Sequence, residues 1–161
     1  MGNVALTLLL AALMPWALVL IYYDLRYFRL PNLMTMAGGA VMVCLAALNS
    51  DFSSFDSWIR EFSLCLAPGI LWILIYLCFV RCGIGWGDIK LALPLGILLG
   101  LAFDNWLEAL LFSIMAASLL SIIFFIFVRS SARLGRFHHY VPHGPSMLLA
   151  TGFMVLCALL A

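Results

Sequence analysis

The sequence predicts an all-α protein, a polytopic membrane helix bundle of about six transmembrane helices. Three observations indicate this fold class. Of the 161 residues, 66% are hydrophobic and only 9% are charged, whereas soluble domains are about half apolar and roughly a quarter charged. Six apolar runs approach the roughly 20 residues that a helix needs to cross a bilayer. The basic residues, finally, are concentrated in alternate connections between these runs.

The predicted spans follow the apolar runs and make 1–161 a single membrane-embedded domain. They are 3–23, 33–49, 62–80, 89–103, 106–128 and 145–161. The first has no basic n-region and is longer than a leader, so we expect a spanning helix rather than a cleaved signal peptide. The fourth is short and contains Pro94, so it either crosses inside the bundle or forms a re-entrant element. Residues 51–62 are expected to lie along the interface as a short amphipathic helix.

The distribution of charge predicts the orientation. The connections 24–32, 81–90 and 129–144 contain seven of the eight Lys and Arg residues. The alternate connections, 49–61 and 104–108, contain one arginine and five acidic residues. By the positive-inside rule the first set is cytoplasmic, and both termini lie outside. Nucleic acid is not an expected partner, because the chain has no strongly basic face to neutralise phosphates.

Two aspartates, Asp24 and Asp88, stand where apolar runs meet cytoplasmic connections. Ionisable groups at membrane depth are costly and usually functional. Asp24 either pairs with a nearby arginine in an ordinary turn or takes part in catalysis. Asp88 either caps the fourth helix or takes part in catalysis. If the two meet, like charges prevent both from ionising, which is typical of aspartyl proteases that share one proton.

Prolines, glycines and polar residues surround these aspartates and open the last span. The candidate supporting residues are Pro31, Asn32, Gly85, Gly87, Lys90, Pro142, Gly144 and Pro145. The glycines allow backbone conformations and close approaches that other residues prevent. Lys90 is expected to anchor at lipid headgroups or to act as a charge partner for the site.

We expect no metal and no cofactor. The five cysteines form no CxxC pair, which leaves zinc or thioredoxin-type sites unsupported. His138, His139 and His143 lie near a basic interface, without the compact arrangement that metal ligands need. No GxSxG elbow, HExxH helix or Gly-rich phosphate loop is present.

Together, the segments 22–32, 83–91 and 140–152 resemble the type IV prepilin peptidases, which are membrane-embedded GxGD aspartyl proteases. Those proteins carry an aspartate seven residues before Pro-Asn or Pro-Asp, as in DLRYFRLPN here. They carry Gly-x-Gly-Asp followed by x-Lys-Leu, as in GWGDIKL, and a Pro-Phe-Gly-Pro motif that opens the last span. This chain has Pro-His-Gly-Pro, with His143 in place of the usual phenylalanine.

The resemblance implies a metal-independent aspartic endopeptidase with Asp24 and Asp88 as its catalytic pair. It implies location in the prokaryotic inner membrane, with the site toward the cytoplasm and lipid around the bundle. The implied partner is the hydrophobic helix of a prepilin or pseudopilin, whose leader is removed. Larger bifunctional members have an N-terminal domain with paired CxxC zinc motifs, linked to N-methylation. This sequence contains none, so it resembles the short form of tight-adherence (Flp) pilus systems.

Four alternatives stay open at the level of the sequence. Two of them are an archaeal preflagellin-type peptidase, which is closer kin, and a non-catalytic assembly factor of a pilus machine, against which the intact motifs argue. A small proton-coupled transporter or channel would use Asp24 and Asp88 as a relay, since carboxylates within membranes also mark such pathways. A presenilin-like protease also pairs Tyr-Asp with GxGD, but those proteins are longer and carry a Pro-Ala-Leu motif that is missing here.

Overall fold

A computed structural model describes residues 3–27, 29–82, 84–130 and 143–160. Within these ranges the chain forms six α-helices and one 3-10 turn, and it contains no β-strand. The helices are α1 (Asn3–Tyr27), α2 (Asn32–Asn49), α3 (Phe55–Phe79), α4 (Trp86–Ala102), α5 (Trp106–Ser130) and α6 (Gly144–Leu160), and the 3-10 turn is Val80–Cys82. The predicted all-α fold is confirmed, with one helix for each apolar run.

Four of these helices are long and apolar enough to cross a membrane. The candidate spans are Leu6–Tyr27, Asn32–Asn49, Phe55–Phe79 and Trp106–Phe127. Helices α4 and α6 have 17 residues each, so each extends about 25 Å at about 1.5 Å per residue. That length is slightly less than the roughly 30 Å hydrocarbon core of a bilayer. That α4 and α6 also cross the membrane therefore stays a prediction.

Helix α4 occupies the centre of the bundle. It packs against α2, α3, α5 and α6, and 11 of its 17 residues are buried. The helix continues without interruption through Pro94. A central position explains its tolerance of a short length and a proline, because neighbouring helices rather than lipid surround most of it.

Glycines allow the closest helix contacts, because small residues let two backbones approach each other. A Cβ on Gly96 would lie 2.3 Å from the Cα atom of Gly69, so α4 and α3 meet backbone to backbone. On α2, a Cβ on Gly38 would lie 2.4 Å from the indole of Trp16. That indole also donates a hydrogen bond from Nε1 to the Met34 carbonyl at 3.0 Å, which joins α1 to α2.

The predicted interfacial helix at 51–62 is wrong, because most of this segment is the start of α3. Ser54 is the N-cap: its side chain accepts a hydrogen bond from the Ser57 amide, and Ser57 reciprocates. This capping box begins the helix at Phe55, seven residues before the apolar run on which the predicted span was based. The Trp58 indole then donates to the Ala47 carbonyl at 3.1 Å, which fixes the first turn of α3 against α2.

Contacts between helix ends place the connections at two opposite ends of the bundle, one of them marked by the Trp58–Ala47 hydrogen bond. We call the other end, formed by the last turns of α1 and α3 and the first turns of α2, α4 and α6, the site end. Here Lys90 of α4 donates a hydrogen bond to Asn32 of α2 at 2.7 Å. At the same end, Tyr76 of α3 lies 2.7 Å from His143, immediately before α6. This end contains the candidate residues.

Candidate active site

Asp24 lies in the last turn of α1 and points into the bundle. It is only 6% exposed, whereas its neighbours Tyr22, Tyr23 and Tyr27 are between 39% and 54% exposed. Because successive residues of a helix point in different directions, the aromatic side chains face outward and the carboxylate faces inward. A buried carboxylate without a cationic partner is costly, which makes this position a candidate for function.

Asp88 is the third residue of α4 and is 9% exposed. The predicted alternative of an N-cap role is wrong, because Gly85 is the N-cap and Asp88 follows one turn later. The Gly85 amide interacts with the Asp88 carboxylate, and a Cβ on Gly85 would lie 3.1 Å from Asp88 Oδ2. The positive end of the α4 dipole also favours a carboxylate here. The glycine thus leaves space for the carboxylate at the helix start.

The start of α6 lies in one cluster with the end of α1 and the start of α4. A Cβ on Gly144 would lie 2.8 Å from Asp24 Oδ2 and 3.2 Å from Leu30 Cδ1. A Cβ on Gly87 would lie 3.0 Å from the Cβ atom of Leu30. Leu30 therefore packs between the first turns of α4 and α6. The Asp24 carboxylate is close enough to act electrostatically on Asp88.

One oxygen of the Asp24 carboxylate lacks a hydrogen-bond partner among the described residues. The backbone amide of Gly144 interacts with the Asp24 carboxylate. Asp24 Oδ2, however, has no partner with hydrogen-bond geometry among the described residues, although it is fully buried. Native proteins leave few buried polar atoms unpaired, and the exceptions often belong to functional sites. A proton, a water molecule or a substrate atom would satisfy it.

The predicted supporting residues hold the elements of the site together. Lys90 is half-buried and donates to Asn32 Oδ1, so it joins the GxGD segment to the start of α2. Pro31 is the N-cap of α2 and accepts hydrogen bonds at its carbonyl from the amides of Met34 and Thr35, both at 3.1 Å.

Pro145 is buried in the first turn of α6, where its missing N–H costs nothing. Pro142 lies outside the described residues.

Three residues of this region were not predicted. Leu30 closes the cluster between α4 and α6, and Tyr76 and Ser121 contact His143 at 2.7 Å and 2.6 Å. Tyr76 and Ser121 had a signal in the sequence, because each is a hydroxyl within a long apolar helix. Leu30 had none, since an apolar residue beside Pro31 is unremarkable. Among the described residues, no three His, Cys, Asp or Glu side chains form a group that would hold a metal ion.

The fold and the site together define a class: a polytopic helical membrane protein with two buried carboxylates at one end of its bundle. Residues 11–126 match the model of the type IV leader peptidase family, and the chain belongs to that family. The matched segment includes Asp24 and Asp88 and ends before α6. No curated protein and no solved structure shows significant similarity to the chain. Family membership supports a leader peptidase function in general terms.

Proposed function

We propose that this protein is a membrane aspartyl endopeptidase that removes the leader of Flp-type prepilins, with Asp24 and Asp88 as its catalytic pair. The observation that carries the proposal is that two buried carboxylates lie close together at the site end, one with an oxygen that has no hydrogen-bond partner among the described residues. Family membership supports the same reaction class. The reaction needs only the two carboxyl groups and a water molecule.

In the proposed mechanism the two carboxyl groups act as one unit. Two like charges at close range in a buried site do not both ionise, so the pair holds one proton. The ionised carboxylate removes a proton from water, and the resulting oxygen attacks the scissile carbonyl carbon. The protonated partner donates to the carbonyl oxygen and stabilises the tetrahedral intermediate. The C–N bond then breaks as the protonated carboxyl group donates its proton to the leaving amine, while its ionised partner takes a proton from a hydroxyl of the intermediate. The pair again holds one proton.

The charge distribution supports a site that faces the cytoplasm, with both termini outside. Arg26, Arg29, Arg81 and Lys90 belong to elements at the site end. The opposite connection at 50–54 and the first turns of α3 contain three carboxylates and one arginine. Basic residues near the ends of spans favour the cytoplasmic side. Cleavage would then occur at the inner face of the prokaryotic cytoplasmic membrane.

The shape of the substrate follows from the position of the site at the end of a helix bundle. A prepilin or pseudopilin has a short basic leader before one hydrophobic helix, which would approach laterally through the lipid. Cleavage after a glycine suits this geometry, because glycine eases local unwinding of a helix and exposes the peptide bond. The resemblance of the three motif segments to those of prepilin peptidases supports a substrate of the prepilin type.

The structure carries no observation that favours a proton relay across the membrane. Among the described residues, Asp24 and Asp88 are the only buried side chains of the types Asp, Glu, Lys and Arg, and both lie at the site end. A relay needs titratable groups that continue toward the opposite face. The described interior beyond the site contains hydroxyl groups such as Ser113 and Thr151 but no carboxylate or amine.

The proposal is tested by co-expression with a Flp-type prepilin, followed by a gel shift and N-terminal sequencing of the product. Wild type is compared with Asp24→Asn and Asp88→Asn at matched membrane levels. Asp104→Asn is the matched control, because Asp104 is an exposed carboxylate in the turn before α5. We expect cleavage after a glycine by wild type and the control alone. Cleavage that persists in either buried variant would remove the carboxylate pair from the mechanism.

A further inference from the structure

His143 occupies an unusual position for a histidine in this bundle. It is the residue before α6, and its carbonyl accepts the first hydrogen bond of that helix from the Met147 amide at 3.1 Å. Its side chain is largely buried rather than directed to the surface. The imidazole therefore enters the bundle at the point where α6 begins, one residue before Gly144.

Both ring nitrogens of His143 have partners on other helices. Nε2 lies 2.7 Å from the Tyr76 hydroxyl of α3, and Nδ1 lies 2.6 Å from Ser121 Oγ of α5. The Tyr76 ring also packs against the imidazole, with ring centroids 5.6 Å apart. One side chain thus joins α3, α5 and α6 at the site end, although the three residues are far apart in the sequence.

The surroundings of the ring suit a neutral imidazole. A neutral ring has one donor and one acceptor nitrogen, and the two hydroxyls, which can each donate or accept, satisfy both. Burial lowers the pKa of His143, because desolvation penalises the charged form. The ring also lies at the start of α6, where the positive end of the helix dipole disfavours a cation.

This bridge is connected to both candidate catalytic residues. On one side, the next residue is Gly144, whose amide interacts with the Asp24 carboxylate and whose missing side chain makes room for Asp24 Oδ2. On the other side, Tyr76 is close enough to Asp88 for an electrostatic interaction. A shift of the imidazole would therefore move the first turn of α6 relative to Asp24.

We propose that His143 is a positioning residue: its hydrogen bonds to Tyr76 and Ser121 hold the first turn of α6 so that Gly144 and Asp24 keep the geometry that cleavage needs. The inference rests on the proposed peptidase function and adds a residue to it. His143 does not touch the reacting atoms in this role. Its contribution is to the rate of the chemical step rather than to the binding of the substrate helix.

The test uses purified full-length protein in detergent and a Flp-type prepilin, with kcat and KM measured separately. Tyr76→Phe and Ser121→Ala each remove one hydroxyl with little change in volume. We expect each to lower kcat about two- to tenfold, the range for one neutral hydrogen bond, with KM little changed. Ser118→Ala is the matched control, because among the described residues Ser118 Oγ donates to the Ile114 carbonyl of its own helix and to no other helix. The control should retain wild-type kcat.

Variants of His143 itself give a second readout. His143→Phe should lower kcat by at least as much as either hydroxyl variant, and adding Tyr76→Phe to it should cost nothing further, because the shared bond is already gone. His143→Asn keeps a polar atom near the Nδ1 position within reach of Ser121, so we expect partial recovery of kcat. A merely structural residue would lower the amount of folded protein without this pattern.

The outcomes separate this inference from the proposed function. If wild type does not cleave the prepilin, the proposed function fails. If wild type cleaves and all three variants, His143→Phe, Tyr76→Phe and Ser121→Ala, retain its kcat, the positioning role is overturned while the peptidase stands. Additive losses from Tyr76→Phe and His143→Phe would also contradict the bridge. The two conservative hydroxyl variants keep the test decisive even if His143→Phe folds poorly.

Discussion

At the scale of single residues, the site depends on small groups that leave space for buried carboxylates. Gly144 is the clearest case, since any side chain there would meet Asp24 Oδ2. Its amide also interacts with that carboxylate. Gly85 has the corresponding position beside Asp88. Gly85 and Gly144 therefore leave space for the carboxylates directly.

Replacement of Gly144 by alanine should lower activity while the protein still folds. The new Cβ would lie 2.8 Å from Asp24 Oδ2, so the carboxylate must move. A misplacement of about 1 Å costs on the order of 100-fold in rate, and we expect a roughly 10- to 100-fold loss of kcat. Gly152→Ala is the matched control, because nothing lies within 4 Å of its Cβ position. Equal activity of the two variants would show that the Asp24 position is not critical.

Acid should destabilise wild type more than His143→Phe. Burial lowers the pKa of His143 below the usual value of 6.5, so at a pH below about 6.5 the unfolded chain binds a proton that the folded protein does not. The free energy of unfolding therefore decreases as the pH is lowered below about 6.5. Above about pH 6.5 the His143 ring adds no pH dependence.

Nearby titratable groups are Tyr76 from α3, Asp88 from α4 and Asp24 from α1, and both proteins retain them. Melting in detergent at roughly pH 7.5 and pH 5 measures the difference. Parallel shifts in the two proteins would contradict this prediction.

At the scale of helices, α4 is held by backbone contacts that no side chain can replace. Gly96 approaches Gly69 so closely that its Cβ position is occupied by the neighbouring backbone. Gly100 is similar, since a Cβ there would lie 2.6 Å from the Cys65 carbonyl oxygen. The α3–α4 pair, of which α4 carries Asp88, is therefore in close backbone contact.

Gly96→Ala should destabilise the bundle by about 1–3 kcal/mol, the usual cost of overpacking, or more. Its Cβ would lie 2.3 Å from the Gly69 Cα atom, and a backbone cannot rotate away as a side chain can. Gly39→Ala is the control, because its Cβ position is 3.7 Å from Leu93 Cδ2, an ordinary contact. Melting of both variants in detergent measures the effect. If the Gly96→Ala protein were as stable as the control, α3 and α4 would be able to accept a methyl group between them without loss of stability.

The sequence could predict the two candidate catalytic residues but not every helix boundary. Asp24 and Asp88 stood out because carboxylates at the ends of apolar runs are rare, and short connections force such residues to an end of the bundle. The start of α3 was missed because hydropathy counts apolar residues, whereas the Ser54–Ser57 capping box sets the boundary.

The His143 bridge could not be derived from local sequence. Its partners are 67 and 22 residues away along the chain, and only the packing of three helices brings them together.

At the scale of the whole molecule, the outer surface is that of a membrane protein. Along α5, Leu111, Met115, Ile122 and Ile126 are between 50% and 67% exposed. A continuous apolar face of this kind is unfavourable in water and suits contact with lipid. The buried side chains between the helices are mostly apolar, and among the described residues the buried charged ones are the two carboxylates at the site end.

The proposed orientation predicts the result of reporter fusions. A phosphatase that is active only outside the cytoplasm should be active when fused after residue 161 and inactive when fused after residue 130. The reason is the concentration of basic residues at the site end, which favours the cytoplasm. A fluorescent protein that folds only in the cytoplasm should give the reverse pattern. An active phosphatase at residue 130 would invert the topology and place the site outside.

The most direct test of the central claim is the rate of prepilin cleavage by purified wild type, Asp24→Asn, Asp88→Asn and the double variant. Because the two carboxyl groups are proposed to act as one unit, each single variant should lose at least about 1,000-fold in kcat, and the double variant should be little worse. A single variant that retains substantial activity, or losses that add in the double variant, would contradict the account of Asp24 and Asp88 as a catalytic pair.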